Sequence, residues 1–193
     1  LSYELFDANC WNDWKQRAEN GDPALTGWVP PSTLLSPAHA GAMAYLQAVG
    51  RAFAYIQKLA GLPVKFQVGE PWWWIMPDHR ICLYDVAATA AIGALSVPIP
   101  DIRGAKTAAQ NAMLDRAGEL LAASTAALVA AVEDEADTAP FTSHLLVYLP
   151  TVLDPLAPEA KRANVPIDWA SPAFDVLQLE DYELAFDGVS ASG

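Results

Sequence analysis

The chain has 193 residues, room for one domain with a sizeable core, and its 53% hydrophobic and 18% charged content excludes global disorder. Lys and Arg number 11 against 23 Asp and Glu, and the resulting net charge of −12 argues against DNA or RNA as a partner, because like charges repel. Two cysteines exclude a disulfide scaffold and a four-cysteine zinc site. The most apolar long stretch, residues 105–132, is interrupted by Lys106, Asp115, Arg116 and Glu119, so no membrane span is expected.

No signal peptide is visible, and Leu1 is not an initiator Met, so the chain reads as a processed product or as a piece of something longer. Residues 2–7 have aromatic, strand-forming character. The 27 residues 9–35 are polar and rich in Gly and Pro, and they carry Trp11, Trp14 and Trp28. A connection of that length is expected to be functional or to hold a small element of its own. Ser36 and Pro37 suit a helix N-cap and first turn. The spacing of Ala42, Leu46, Val49, Phe53 and Ile56 then predicts one apolar helix face, closed by Gly61.

Residues 64–70 read as a strand stopped at Pro71. Residues 72–85 read as a β-hairpin hung on its end, with Pro77 and Asp78 in the turn. Residues 86–104 show no clear period. A second long helix is expected from Thr107 to about Val132, with Met113, Ala117, Leu120, Ser124 and Leu128 on the core side and the acids at 133–137 ending it. Residues 142–149 predict a buried strand, residues 159–164 a helical turn, and residues 174–182 a last strand ending in two acids. Residues 1–187 are taken as one domain and residues 188–193 as a frayed tail.

Strands alternating with helices argue for an α/β fold with a parallel sheet and helices packed outside it. About four βα repeats are visible, whereas a closed eight-stranded barrel needs ~250 residues, so half a TIM-like barrel is the better description.

Three features could carry chemistry. Glu70 ends a strand, and the C-terminal strand ends line the site in parallel α/β folds. With Trp72, Trp73 and Trp74 beside it, its carboxyl would have the apolar surroundings that raise an acid's pKa for protonating a glycosidic oxygen. The plainer reading is a strand terminator that caps a loop or pairs with Arg80. Glu180 and Asp181 end the last strand; alternation puts Glu180 on the same face as Gln178, which makes Glu180 the candidate partner of Glu70. Seven tryptophans form the third feature, since indole faces stack on sugar rings. Trp72, Trp73 and Trp74 must point alternately to two faces, as a ligand platform or as packing. Asp7 is a lesser candidate for the same mouth, and Gln178 and Asp181 would line it.

His39, His79 and His144 are scattered, so no metal site is expected, and His79 in the turn reads as solvated. Cys10 and Cys82 read as small buried hydrophobes. Without a glycine-rich phosphate loop, no nucleotide or other cofactor is implied.

Val68-Gly69-Glu70-Pro71 resembles the strand-four Asn-Glu-Pro element of TIM-barrel glycosidases, in which that Glu is the acid/base. Gly69 departs from it and removes the Asn side chain that contacts the sugar 2-hydroxyl. The longer run at 66–85, Phe-Gln-Val-Gly-Glu-Pro-Trp-Trp-Trp-Ile-Met-Pro-Asp-His-Arg-Ile-Cys-Leu-Tyr-Asp, with Leu-Gln-Leu-Glu-Asp-Tyr at 177–182, is similar to something narrower. It resembles the glycosidase-like TIM-barrel domain of tail proteins from siphophages and prophages of alphaproteobacteria, of the non-contractile tail sheath type. That resemblance covers roughly residues 1–183. It implies a barrel built into a virion tail and assembled in the bacterial cytoplasm, with other tail proteins or copies of itself as partners and sugar-cleaving ability retained or lost.

Two function classes follow. One is a tail structural or host-surface-contacting domain whose aromatic mouth binds carbohydrate. The other is a glycoside hydrolase acting on bacterial surface polysaccharide, with Glu70 as general acid/base. A blander third is an interaction domain of a larger bacterial protein. Gly69 favours the first, as do the open sheet edges that a half-barrel leaves for a partner.

Overall fold

The structure, a computed structural model, describes residues 1–149 and 153–180. Three strands form a parallel sheet in the order β3 (Val64–Gly69), β4 (Phe141–Tyr148), β5 (Val176–Glu180). The N-terminus adds a fourth parallel position on the other edge of β3. Ser2 bridges Gly69, and the Gly69 N–H donates to Leu1 O at 2.9 Å, while the next N–H, that of Glu70, donates the opposite way to Leu146 O on β4. Beyond that bridge β1 (Glu4–Phe6) pairs antiparallel with β2 (Ser32–Leu34), the small element held within the long 9–35 segment. Among the described residues the sheet does not close into a barrel.

Side-chain alternation sorts the sheet into two faces. Val64, Phe66 and Val68 of β3 and Leu145 and Val147 of β4 are buried under the helices. Lys65, Gln67, His144, Tyr148, Gln178 and Glu180 lie on the opposite face. There Gln67 Nε2 donates to Gln178 Oε1 at 2.5 Å. These glutamines sit on strands separated by β4, about 10 Å apart, so a direct bond between them needs a concave inner face. On the outward face of β5, Leu177 and Leu179 are 61% and 56% exposed.

Helix α1 (Ala40–Leu59) starts later than the expected Ser36-Pro37 cap. Residues 36–39 form a turn closed by His39 N–H on Ser36 O, and His39 Nδ1 accepts the Ala42 N–H as the actual cap. The apolar face also differs from the expected one. The buried residues are Ala42, Leu46, Gly50 and Ala54, whereas Phe53 and Ile56 are 57% and 59% exposed. Small residues decide this: α1 lies so close to α3 (Ala108–Ala136) that a Cβ on Gly50 would stand 2.7 Å from Val132 Cγ2. Close helix packing favours the side with the least side chain, not the most apolar one.

Residues 86–104, which show no clear period, begin with α2 (Val86–Ile92), whose N-cap is Asp85 accepting the Ala88 N–H. Helix α3 opens on the expected Thr107, which forms a full capping box with Gln110 worth about 1 kcal/mol. It buries Met113, Ala117, Ser124 and Leu128 as expected, but Leu121 in place of Leu120, which is half-buried. The acids at 133–135 do not end it; the helix runs through them to Ala136. Lys58, near the end of α1, donates to Glu135 O and lies 3.6 Å from the Glu135 carboxylate. That cation offsets the unfavourable charge at the helix C-terminus.

The expected hairpin is irregular. It keeps the turn, with His79 N–H on Met76 O across Pro77 and Asp78, but an isolated Ile75–Ile81 bridge stands in place of paired strands. The short α4 (Ala160–Asn164) packs on α3. Among the described residues no helix is long and apolar enough to cross a membrane.

Candidate functional site

A cavity of about 680 Å3 opens at the C-terminal ends of the parallel strands. Glu70 follows β3 directly with φ +48, a left-handed backbone that costs a non-glycine residue about 1–3 kcal/mol. That turn takes the chain out of the sheet as soon as Glu70 has used its N–H on β4, and Glu70 lines the cavity at the rim. Glu180, the last residue of β5, reaches the same cavity two strands away, near enough for its carboxyl to act on that of Glu70. Arg80, the alternative partner for Glu70, is instead engaged with Asp22 and Asp78.

Burial is the main reason the Glu70 carboxyl is pushed up to about 7; the Glu180 charge and hydrogen bond come next, then the Glu4 charge. Near neutral pH the Glu70 carboxyl is therefore about half protonated. An acid with a raised folded pKa binds more protons folded than unfolded between its ordinary 4.5 and about 7, so its contribution to stability falls as pH rises through that window. Glu70→Gln removes the cost. The variant is expected to match its parent near about pH 4 and to be more stable by about 1–2 kcal/mol above pH 7, discounted because the side chain is only half-buried. Urea melts of both proteins at the two pH values check this; a gap that does not widen with pH refutes the buried pair.

The three consecutive tryptophans do alternate. Trp73 is fully buried, its Nε1 donating to Ala117 O at 2.9 Å. Trp72 and Trp74 face the other way, their rings 6.0 Å apart, and Trp72 meets Tyr148 edge-on at 6.2 Å. The backbone of this run is pinned from both sides. Asn164 accepts the Trp73 N–H at 2.8 Å and donates to Trp73 O at 3.1 Å. Fully buried Gln16 donates to Trp72 O at 2.9 Å and accepts the Trp74 N–H at 2.8 Å. The side-chain N–H groups of Trp72 and Trp74 are buried and have no hydrogen-bond partner among the described residues.

Other sequence candidates are not brought to the cavity. Asp7 sits in a 3-10 turn with its carboxylate 2.6 Å from Lys15 Nζ, and Gln178 is occupied by Gln67 deeper in the sheet. Asp181 lies outside the described residues. Cys82 is buried, with its thiol pushed up to about 12 by burial, while Cys10 is only half-buried.

Sequence reading missed Glu4, Trp28, Arg103, Tyr148 and Asp154, all on the cavity wall, and placed His79 in solvent although it too lines the wall. Tyr148 was findable, since it ends a strand as Glu70 does. Trp28, Arg103 and Asp154 come from loops whose placement no local pattern encodes. Arg103 is held by Asp101, its Nε and an Nη at 3.2 and 2.9 Å from the carboxylate. Among the described residues no cluster of His, Cys, Asp and Glu is suited to a metal ion.

Compared with known proteins, residues 1–193 match the family model described as non-contractile tail sheath protein TIM barrel. No curated protein and no solved structure matches the chain.

Proposed function

Because the chain belongs to the non-contractile tail sheath protein TIM barrel family, phage tail components that assemble with other tail proteins, we propose that it is a tail structural domain whose cavity binds carbohydrate of the host surface. The observation that carries this reading is the pairing of Glu70 with Glu180 beneath an aromatic wall of Trp72, Trp74 and Tyr148. Indole faces stack on sugar rings, and a carboxyl pair accepts hydrogen bonds from sugar hydroxyls. Gly69 carries no side chain for a sugar 2-hydroxyl, in keeping with binding and not cleavage. We take residues 1–187 as one glycosidase-like domain with residues 72–85 as its hairpin-like insertion. It is assembled in the cytoplasm of an alphaproteobacterial host into a homo-oligomer or larger tail complex.

A second reading has its own observation. Glu70 holds its proton up to about pH 7 in an aromatic pocket with a second carboxyl group beside it, the state a glycosidase acid needs. Titration calorimetry against bacterial surface polysaccharides tests binding, and Trp72→Ala is expected to abolish it. Assay of Glu70→Gln beside the parent on aryl glycosides separates the readings: a large loss of turnover in the variant establishes the hydrolase, and equal or absent turnover in both removes it. Failure of the chain to co-purify with virions would count against the tail assignment.

A further inference from the structure

The charge on the cavity wall narrows the ligand. Four carboxyl side chains, Glu4, Glu70, Asp154 and Glu180, line it. Arg103 is the only Lys or Arg among the described lining residues, and its charge is already met by Asp101 in a two-point contact. Protonation of Glu70 below about pH 7 removes one of these negative charges and leaves the wall anionic. Acids alone make no site. Here they surround an aromatic cluster in which Trp72 presents contacts to both Trp74 and Tyr148, with Trp28 on the same wall. Ring faces attract cations through their quadrupole, within about 6 Å of the ring centre, and reward a cation more where water is excluded. Aromatic faces rimmed by carboxylates therefore suit a ligand that is flat and apolar on its ring face and positively charged at one substituent. An acidic sugar or a phosphate-bearing polymer would instead meet like charge on nearly every side.

We infer that the cavity selects glycans bearing free amino groups, with the sugar ring stacked on Trp72 or Trp74 and its ammonium directed to the carboxylates of Glu4 and Asp154. The inference rests on the carbohydrate-binding reading above and names the sugar class that reading left open.

The test compares short oligosaccharides of matched length in mildly acidic buffer, where sugar amines are charged: glucosamine, N-acetylglucosamine, glucose and uronic acid oligomers. The glucosamine oligomer is expected to bind at least about tenfold more tightly than its N-acetylated counterpart, with affinity falling as salt rises. Glu4→Gln is expected to erase that preference. Equal affinity for the amino and N-acetylated sugars, or tighter binding of the uronic acid oligomer, overturns the inference and leaves carbohydrate binding standing. Binding of no oligomer overturns both. Because a chain of net charge −12 attracts any polycation, retention of glucosamine binding in both Trp72→Ala and Glu4→Gln would mark unspecific attraction and overturn the inference as well.

Discussion

Trp73→Ala is expected to lower folding stability by about 3–5 kcal/mol, a large share of what a domain of this size has in total. The indole is fully buried between the sheet and α3, and its Nε1–H is bound to Ala117 O in the middle of that helix. Truncation leaves a cavity that backbone on both sides keeps from collapsing: Asn164 holds the Trp73 N–H and C=O, and Gln16 holds Trp72 O and the Trp74 N–H. Trp73→Phe keeps most of the packing and loses only the bond to Ala117, so it is expected to cost about 1–3 kcal/mol. Chemical denaturation of the three proteins orders them. A loss below about 1 kcal/mol for the alanine variant would show that the site tolerates collapse, and that the tryptophan run is not anchored as described.

Gly118→Ala is expected to cost about 3 kcal/mol or more, against the rule that alanine is the better helix former. Propensity favours the substitution by about 1 kcal/mol in a helix interior. Sterics outweigh it here, because the added Cβ would lie 2.2 Å from Arg162 O and 3.3 Å from its carbonyl carbon, both backbone atoms of α4. At Gly50 the close neighbour is a methyl group of Val132, 2.7 Å from an added Cβ, whereas a carbonyl moves only with its helix. Displacing α4 moves Asn164, and Asn164 holds the backbone that aims Trp72 and Trp74 at the cavity. The variant is therefore expected to lose the proposed glycan binding together with stability. Gly50→Ala should be the milder of the two, with binding retained. Melting curves and calorimetry on both variants check the order; Gly118→Ala at or above parental stability would show that α4 does not rest on α3 at this glycine.

The same contrast explains what could be read in the chain before its structure. Periodicity found α3, β3 and β4, because each buries a side at a fixed spacing, while β5 was legible from its alternating strand-forming residues although none of them is buried. It misjudged α1, where Phe53 and Ile56 outweigh Gly50 and Ala54 in hydrophobicity but not in closeness of packing. It missed α2, whose run of small residues carries little amphipathic signal between Asp85 and Gly93.

At the site, the primary structure by itself determined that an acid would follow a parallel strand next to indoles that point to alternate faces. It also determined that a second acid, Glu180, would end another strand on a known face, since strand ends and alternation are local properties of the backbone. Only the tertiary structure decided that Glu70 and Glu180 meet in one cavity across β4, that Asp7 is taken by Lys15, and that Glu4, Trp28, Arg103 and Asp154 complete the wall. Those outcomes depend on the curvature of the sheet and on loop paths set by distant packing, and no local spacing of residues encodes either.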